Sequence, residues 1–561
     1  MDVTFLRSER FPGWPEFHTG LDAIQAPEAA VALAKIVVNT AAQSDGVFTT
    51  FQDLTATNFH LMQRLLLRRW AAGGWRRPAF DPGKPLHESI DPSRSLFRLL
   101  RYLSGLRETH PILDRSIVRP PAIVAAHVLW FTMLEQRFQN RSAKHEVARA
   151  WIMYQSIWPQ LVASGKIPVA PPYAATAFDS LPYTLFMIML LYHEGGYVDD
   201  ARALLAQSTV GGQIFETFRD LYTVPADEFV RCDRPEDYPE KYLNPFGISP
   251  ILRIDDNRLI APDPSVLFGG LEFRLLQQVL STGKESNPAN PEDGFRKASS
   301  SFGFVFEAYG RALLAQAAIE QVVPEFRYER GGQMVDSPDA FLLGALPLVI
   351  EFKSMRYPFD LQTATSLQGL ARWLTELTGG KNGRGAFEQG AAFVQDVQSG
   401  RCRAIDARTI NDALYVIVAY DDIPSCANWL SVRDELWPSG SLSPEAALLS
   451  RRTVFISIRD LEAALTIQDF EHSKGRAFSL GDEMRQWWEM VQHGPQPDDA
   501  RQHRLPDGLG NFLIRRYPNA TAHSLELHRT GWNAYQAATL DAGFPKDTES
   551  TSVAEILTGK E

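Results

Sequence analysis

Two acidic side chains and a lysine lie within the apolar stretch SPDAFLLGALPLVIEFKS, residues 337–354. The acids are Asp339 and Glu351, and the lysine is Lys353. Unpaired charge among apolar residues is costly, so these groups either lie at exposed strand ends by accident or hold a metal ion. Carboxylate oxygens suit Mg²⁺, which takes one or two carboxylates together with waters and substrate phosphate oxygens. The stretch therefore indicates either an ordinary hairpin or a metal site.

A β-hairpin would bring these three side chains to one place. Strand alternation puts Glu351 and Lys353 on the same face of their strand. Asp339 begins the preceding strand, and the turn GALP, residues 344–347, folds that strand back toward the second one. The sequence thus predicts that two carboxylates and one ammonium group converge at one end of the hairpin.

The segments around the hairpin predict a compact α/β unit with a central mixed sheet. Helix, three strands, helix and strand follow one another, and such an order is typical of a sheet covered by helices. The predicted elements are a helix over 302–321, a strand over 325–329, the hairpin, a helical stretch over 361–377, a glycine-rich loop over 378–385, the helix AFEQGAAFVQDVQ, and strands over 413–420 and 453–458.

This pattern resembles the PD-(D/E)XK nuclease superfamily, which has the restriction-endonuclease-like fold. The matching residues are Pro338-Asp339 and, twelve positions after the aspartate, Glu351-Phe352-Lys353. The resemblance covers roughly residues 295–475 and says little about the rest of the chain. It implies that Asp339 and Glu351 bind Mg²⁺ or Mn²⁺, which polarises the scissile phosphate and acidifies an attacking water. Lys353 would orient that water and stabilise the developing negative charge.

The resemblance also implies roles for two residues outside the hairpin. Glu307, in the sequence GFVFE, matches the metal-assisting glutamate of the family's opening helix. Gln389 matches a helical glutamine that would position Lys353 or a phosphate. The alternative for Glu307 is an exposed or ion-paired acid on an amphipathic helix, and for Gln389 an ordinary surface amide. In subfamilies with a Q-x-x-x-Y motif a tyrosine stands where this chain has Phe393.

Two basic segments are candidates for contact with nucleic acid. Residues 64–107 hold ten Lys or Arg against three acids, with aromatic residues among them, and arginines can meet phosphates while aromatics stack on bases. The alternative is a helix face that carries arginines and whose aromatics belong to the core. The loop TGGKNGRG lacks the order of a P-loop, which excludes that NTPase motif here. The predicted contacts are Arg68, Arg69, Arg76, Arg77, Lys381 and Arg384.

Composition limits the class of protein. The chain has 561 residues, 45% of them apolar and 22% charged, as in folded soluble proteins, and its net charge of −11 argues against a protein that coats DNA. Three cysteines without a CxxC pair, and an N-terminus without a signal-like apolar segment, favour a reducing, cytoplasmic setting. The apolar run over 181–192 is about half the length that crosses a bilayer, so we expect a buried helix and no membrane contact.

The chain is expected to form several domains, because it is too long for one core. The fold class is α/β, with a helical N-terminal half and a C-terminal nuclease-like domain. The predicted regions are 1–112, mixed helical with the basic stretch; 113–235, helical; 236–294, a connector with a small β-hairpin near 255–257; 295–475, the nuclease-like domain; and 476–561, a helix and a polar tail.

The expected function is Mg²⁺-dependent hydrolysis of phosphodiester bonds, with DNA favoured over RNA as substrate. A large helical region joined to such a nuclease resembles bacterial effectors of anti-phage defence, in which the extra region binds a partner or forms an oligomer. The competing interpretation is a subunit that binds nucleic acid or organises a complex without cutting. A purely helical scaffold with an accidental motif is a third possibility, and it would lack a single mixed sheet over 302–458.

Overall fold

The structure is a computed structural model of the chain. The predicted nucleic-acid contacts in 64–107, the predicted helix over 361–377 and the loop residues Lys381 and Arg384 lie outside the residues it describes. It describes residues 143–168, 181–193, 197–198, 211–225, 228–229, 250–253, 257–261, 267–317, 319–354, 385–420, 442–493 and 508–541.

Helices make up most of the described chain. A π-helical segment, Ile152–Ile157, joins the first two, and a 3₁₀ turn, Pro518–Ala520, precedes the last. The helices are α1 (Ala143–Trp151), α2 (Trp158–Ala163), α3 (Leu181–His193), α4 (Gly211–Tyr222), α5 (Leu267–Ser286), α6 (Pro291–Ala317), α7 (Ala386–Gln398), α8 (Ala407–Asp412), α9 (Pro444–Ser450), α10 (Ile458–Ser473), α11 (Leu480–His493), α12 (Leu509–Arg516) and α13 (Glu526–Asp541).

The strands form a small sheet, a central sheet and a separate hairpin. The central sheet has the order β11-β10-β9-β8-β5, the small sheet the order β1-β4-β3-β2, and β6 pairs with β7 alone. The strands are β1 (Tyr197–Val198), β2 (Thr223–Pro225), β3 (Ile251–Arg253), β4 (Leu259–Ile260), β5 (Gln321–Pro324), β6 (Arg327–Arg330), β7 (Gln333–Asp336), β8 (Ala340–Leu343), β9 (Leu348–Lys353), β10 (Leu414–Ala419) and β11 (Thr453–Ser457).

The central sheet is mixed, as the sequence predicts. Strands β9, β10 and β11 run parallel, whereas β5, β8 and β9 pair antiparallel. All residues of β10 and β11 are buried, which agrees with their continuous apolar sequences, since parallel strands are covered on both faces. The C-terminal ends of the three parallel strands, the C-terminal end of β5 and the N-terminal end of β8 therefore meet at one edge of the sheet.

The two faces of this sheet belong to two hydrophobic clusters. Ile350 and Phe352 face a large cluster that includes side chains of α1, α3, α5, α6 and α10 to α13. Val349 faces a smaller cluster that includes Phe387 and Phe393 of α7. Because side chains alternate along a strand, Glu351 and Lys353 share the face of Val349.

A glycine on α6 allows this long helix to lie directly on the sheet. A Cβ atom added to Gly310 would lie far inside van der Waals contact with Cε1 of Phe352. Phe306, one turn earlier on the same helix, packs edge-on against the Phe352 ring at 5.8 Å between centroids. The close approach fixes α6, which carries Glu307, above the strand that carries Glu351 and Lys353.

Gly310→Ala should destabilise the protein by about 1–3 kcal/mol, since overpacking against Phe352 outweighs the gain in helix propensity. Gly303→Ala on the same helix is the matched control, because its Cβ would meet only the Ser354 hydroxyl oxygen, at 3.3 Å, and that hydroxyl can rotate away. We expect the control to be neutral or more stable by up to about 1 kcal/mol. Equal melting temperatures for the two variants would contradict the close packing.

A buried polar network also fixes α6. The Tyr309 hydroxyl donates to the Glu462 carboxylate at 2.6 Å and lies 3.0 Å from Nε2 of His528, while Arg149 donates to the second Glu462 oxygen at 2.8 Å. Burial alone would raise the pKa of Glu462, yet the Arg149 guanidinium and the bonds from His528 and Tyr309 hold that pKa well below its usual range. The network joins α1, α6, α10 and α13.

Three predictions about secondary structure were wrong in detail. The strand predicted over 325–329 lies in the separate β6–β7 hairpin, and the antiparallel edge strand of the central sheet is β5. Most of the polar stretch 281–301 is helical, because only residues 287–290 lie between α5 and α6, and residue 295 itself lies within α6. The tail predicted after α11 contains α12 and α13, whose apolar residues Leu509, Leu513 and Tyr535 are fully buried.

Other predictions on described residues are confirmed. Strands β3 and β4 form the antiparallel hairpin expected around 255–257. The apolar run over 181–192 forms α3, and its described side chains are almost all buried. Within the described ranges, no helix has both the length and the apolar character that a membrane span requires. The described part of the C-terminal half is therefore an α/β structure with a mixed sheet.

Candidate active site

The register of the central sheet places the candidate acids next to each other. Ala340 of β8 is opposite Ile350 of β9, so the residue before β8, Asp339, comes opposite Glu351. The amide of Glu325, just after β5, donates to the carbonyl oxygen of Asp339 at 3.0 Å. Three acidic residues thus lie at the same edge of the sheet: Glu325 just after β5, Asp339 just before β8, and Glu351 near the end of β9.

Asp339 is almost completely buried, with 8% of its surface exposed. Its Oδ2 accepts a hydrogen bond from the Phe352 amide at 2.6 Å. This bond crosses between the two strands of the hairpin, so it fixes the Asp339 carboxyl beside the backbone that carries Glu351 and Lys353. The hairpin therefore positions the aspartate through its own main chain.

Glu351 and Lys353 form an ion pair on the shared strand face. The Lys353 Nζ donates to Glu351 Oε1 at 2.5 Å, and the side chains of the lysine and the glutamate are 27% and 11% exposed respectively. Burial alone would lower the pKa of Lys353, but the charge and hydrogen bond of Glu351, with Asp339 and Glu307, raise it. Lys353 is therefore a positively charged group at neutral pH.

Glu307 reaches the same region from α6. Arg311, one turn later, lies 3.6 Å from Glu307 and 2.9 Å from Glu325, and so it bridges the helix and the end of β5. Burial raises the pKa of Glu307, and the nearby Arg311 guanidinium opposes this rise only in part. Sequence reasoning missed Arg311 and Glu325, although an arginine four residues after a helical glutamate is a common ion-pair spacing.

The carboxylates influence one another. Burial, followed by the charges of Glu351 and Glu307, raises the pKa of Asp339 to about 8. The Phe352 amide and Lys353 oppose this shift without cancelling it. The pKa of the Tyr415 phenol is also raised, by burial and then by the charges of Glu351 and Asp339. A buried site that repels its own negative charge is well suited to a cation.

The donor set was compared with what a metal ion requires. Among the described residues, no group of three or more His, Cys, Asp or Glu side chains is arranged to hold a metal. Mg²⁺ needs only one or two protein carboxylates, since waters and substrate phosphate oxygens complete its shell. Asp339 and Glu351 can supply those two carboxylates, and Glu307 acts on them electrostatically. The residues present fit a magnesium site that is completed by substrate.

Gln389 differs from the other candidates. It lies in the first turn of α7, and its side chain is exposed. The start of this helix is near the candidate site, because the Tyr415 hydroxyl donates to the Ala386 carbonyl oxygen at 3.3 Å. Within the described chain, however, no hydrogen bond joins Gln389 to Lys353. Its role stays a prediction, and the surface-amide alternative agrees with its exposure.

The site therefore contains Asp339, Glu351, Lys353 and Glu307 together, with Arg311, Glu325 and Tyr415 around them. The six predicted basic contacts lie outside the described residues. The chain was also compared with protein-family models, curated proteins and solved structures, and none of the three comparisons gave a significant match. The residues and their geometry alone carry the functional argument.

Proposed function

We propose that this protein is a metal-dependent nuclease whose active site is the hairpin edge formed by Asp339, Glu351 and Lys353. The observation that carries the proposal is the placement of two buried acids and a charged lysine at one sheet edge, where burial and then the charge of Glu351 raise the pKa of Asp339. A second carboxylate close by disfavours the ionised form of the first, and this is the direction of the shift at Asp339. Perturbed titrating groups of this kind cluster at functional sites.

Asp339 and Glu351 would hold the metal, with Glu307 as an auxiliary acid. Bound Mg²⁺ or Mn²⁺ would supply Lewis acidity toward the scissile phosphate and toward a water molecule. The Lys353 ammonium donates to Glu351 in this structure. In the reaction it would donate to the attacking water and to the phosphate oxygen on which negative charge develops. The raised pKa of Lys353 keeps the ammonium charged for this role.

Tyr415 and Phe352 would support the site without contacting substrate. The Phe352 amide holds Asp339 in place, and the Tyr415 ring lies on the same face of the sheet as Glu351.

Because the pKa of Asp339 is raised to about 8, this carboxyl group must lose a proton when it becomes a metal ligand. Cleavage is therefore expected to increase as the pH rises from 6 toward 8.

A non-catalytic role is the second candidate, and one observation favours it. The Lys353–Glu351 pair and the bond from Phe352 to Asp339 already satisfy much of the polar capacity of the site. A hairpin that only binds or supports a partner could have the same contacts. Activity rather than further geometry separates the two candidates.

The test incubates the purified full chain with linear DNA, circular DNA and RNA, each with Mg²⁺, Mn²⁺ or EDTA. We expect metal-dependent products from DNA and none with EDTA. A chain that binds nucleic acid but leaves every substrate intact with both metals would support the non-catalytic candidate and contradict the nuclease.

A further inference from the structure

An aromatic side chain stands exposed beside the candidate site. Phe304 of α6 is 36% exposed, and it is the only aromatic among the exposed large apolar side chains of the described residues. It precedes Glu307 by three residues, so the two side chains lie next to each other on the same face of the helix. Its neighbour Gly303 faces the Ser354 hydroxyl, immediately after Lys353. Phe304 is therefore at the mouth of the site and not in the core.

A lysine from the helical region covers this ring. The Lys166 Nζ lies 5.1 Å from the centroid of Phe304. Its charge also acts on Glu307, where it favours the ionised carboxylate. Lys166 comes from the segment that follows α2, far from the nuclease-like residues in sequence. The helical region thus contributes a side chain to the mouth of the site.

The backbone holds Lys166 in this place. The amide of Gly165 donates to the Val162 carbonyl oxygen at 2.9 Å, and the amide of Lys166 donates to the Leu161 carbonyl oxygen at 3.0 Å. Gly165 has a φ of 71°, which completes a Schellman motif at the end of α2. The next residue, Ile167, is buried. Lys166 is therefore fixed at its base, and only its long side chain is free to turn.

The charges around the mouth distinguish Lys166 from the other cations. Lys353 is paired with Glu351, and Arg311 is paired with Glu307 and Glu325. Among the described residues, no carboxylate lies within ion-pair distance of Lys166. Of the three described cations near this acidic site, Lys166 is therefore the one that offers an approaching phosphate a positive charge outside an ion pair.

We propose that Phe304 and Lys166 form a binding subsite for an unpaired nucleotide, in which the ring stacks on the base and the ammonium group contacts the adjacent phosphate. The subsite rests on the proposed function, and it makes single-stranded nucleic acid or a frayed duplex end the preferred substrate. A base inside a duplex is stacked on both faces and offers neither to an aromatic side chain on a rigid helix, whereas an unpaired base does.

A base is expected to bind the Phe304 ring more strongly than the Lys166 ammonium does. An exposed cation–π contact contributes about two- to fivefold in affinity, whereas stacking of a base on an aromatic side chain contributes about five- to 150-fold. A base can therefore displace the ammonium from Phe304. The displaced ammonium remains within reach of the backbone phosphate, where it gains a charge-assisted contact.

The experiment measures binding to fluorescein-labelled oligonucleotides in EDTA, so that no cleavage occurs. The probes are a single-stranded 20-mer and a blunt hairpin duplex of the same composition. We expect Phe304→Ala to weaken single-strand binding about tenfold and duplex binding less than twofold, while Phe304→Trp retains the single-strand affinity. Lys166→Ala should reduce the slope of log affinity against log salt by about 0.7 on the single strand.

Lys474→Ala is the matched control. Lys474 also lies over an aromatic ring, 5.5 Å from Phe470, but it follows α10, whose other end is at the sheet edge that holds the site. We expect this control to leave both affinities and the salt slope unchanged. An equal effect of Lys474→Ala and Lys166→Ala would assign the loss to general surface charge and would overturn the subsite.

Binding and cleavage together separate this subsite from the nuclease proposal. If the wild type cuts DNA with Mg²⁺ while the Phe304 and Lys166 variants bind and cut both probes like wild type, the subsite is overturned and the nuclease stands. If no substrate is cut but Phe304→Ala selectively weakens single-strand binding, the subsite stands and the nuclease fails. A wild type that binds neither probe overturns the subsite directly.

Discussion

Glu351→Gln and Lys353→Ala should each abolish Mg²⁺-dependent cleavage while the protein stays folded. Phosphodiester hydrolysis is so slow in water that a nuclease must remove on the order of 20 kcal/mol from the barrier. Most of this stabilisation must come from positive charge placed around the phosphate. Glu351→Gln removes the charged oxygen that we propose as a metal ligand, with almost no change of shape. Lys353→Ala removes the ammonium that we propose stabilises the developing charge, a loss of about 10²- to 10³-fold or more.

Both variants are expected to fold normally. In Glu351→Gln, the amide oxygen of the new side chain can still accept a hydrogen bond from Lys353 at the position of the present 2.5 Å contact. The Lys353 side chain is 27% exposed and projects from the end of β9, so its truncation leaves little cavity, and the main cost is the loss of the hydrogen-bonding partner of Glu351, about 1–3 kcal/mol. Initial rates on plasmid and on linear DNA, with melting curves for each variant, measure the effect.

Lys297→Ala provides the matched control for the loss of a lysine. Lys297 lies on the exposed first part of α6, where it pairs with Asp293 at 2.8 Å. It precedes Glu307 by ten positions in the sequence. It should cut DNA at the wild-type rate. Wild-type rates in the well-folded Glu351 and Lys353 variants would instead mean that residues 337–354 form only a structural hairpin.

Local sequence was enough to predict the hairpin and the two buried strands that follow it. The runs ALYVIVAY and TVFISI are apolar throughout, and a strand covered on both faces requires this composition. Alternation within VIEFK placed Glu351 and Lys353 on one face without any knowledge of the sheet. Asp339 could be placed at the same end because the turn at 344–347 is short. These predictions needed only contacts between residues close in sequence.

Contacts between distant residues could not be predicted in this way. Lys166 and Phe304 are 138 positions apart, and Tyr309 and Glu462 are 153 apart. No periodicity links such pairs, since their contact depends on how whole helices pack on the sheet. The burial of α12 and α13 has the same origin, because their apolar residues form narrow stripes in otherwise polar segments. The sequence therefore predicts the hairpin and the placement of its charged side chains better than it predicts the helices that surround them.

The pKa of Asp339 depends on those surroundings, and it leads to the second large expected effect. Asp339→Asn should abolish cleavage and yet stabilise the metal-free protein. The folded-state pKa of about 8 lies above the usual value of 3.8. The folded state therefore binds more protons than the unfolded state between these values, and stability declines as the pH rises through that range. The asparagine introduced by this substitution can still accept the Phe352 amide hydrogen bond. It carries no charge, so neither burial nor the neighbouring carboxylates destabilise it as they destabilise the aspartate.

The stabilisation should be smallest near pH 4 and largest above about pH 8. It is expected to reach on the order of a few kcal/mol, since one unit of pKa corresponds to about 1.4 kcal/mol. The measurement is the difference in melting temperature between the variant and the wild type, in EDTA, at several pH values from 5 to 9. Asp336→Asn is the matched control, because that acid, three positions earlier, is 63% exposed and, among the residues that the structure describes, forms an ion pair only with Arg327 at the surface.

Added Mg²⁺ should reverse the order of stability. Metal that binds only the folded state raises the melting temperature of the wild type, and it does so more at pH 8 than at pH 6 because its ligand must first lose a proton. Asp339→Asn should show little response to Mg²⁺ at either pH, whereas Asp336→Asn should respond like wild type. A variant that melts below wild type at pH 8 in EDTA would show that the Asp339 carboxylate stabilises the fold. In that case the carboxylates would not repel each other, and the reason to expect a cation between them would be lost.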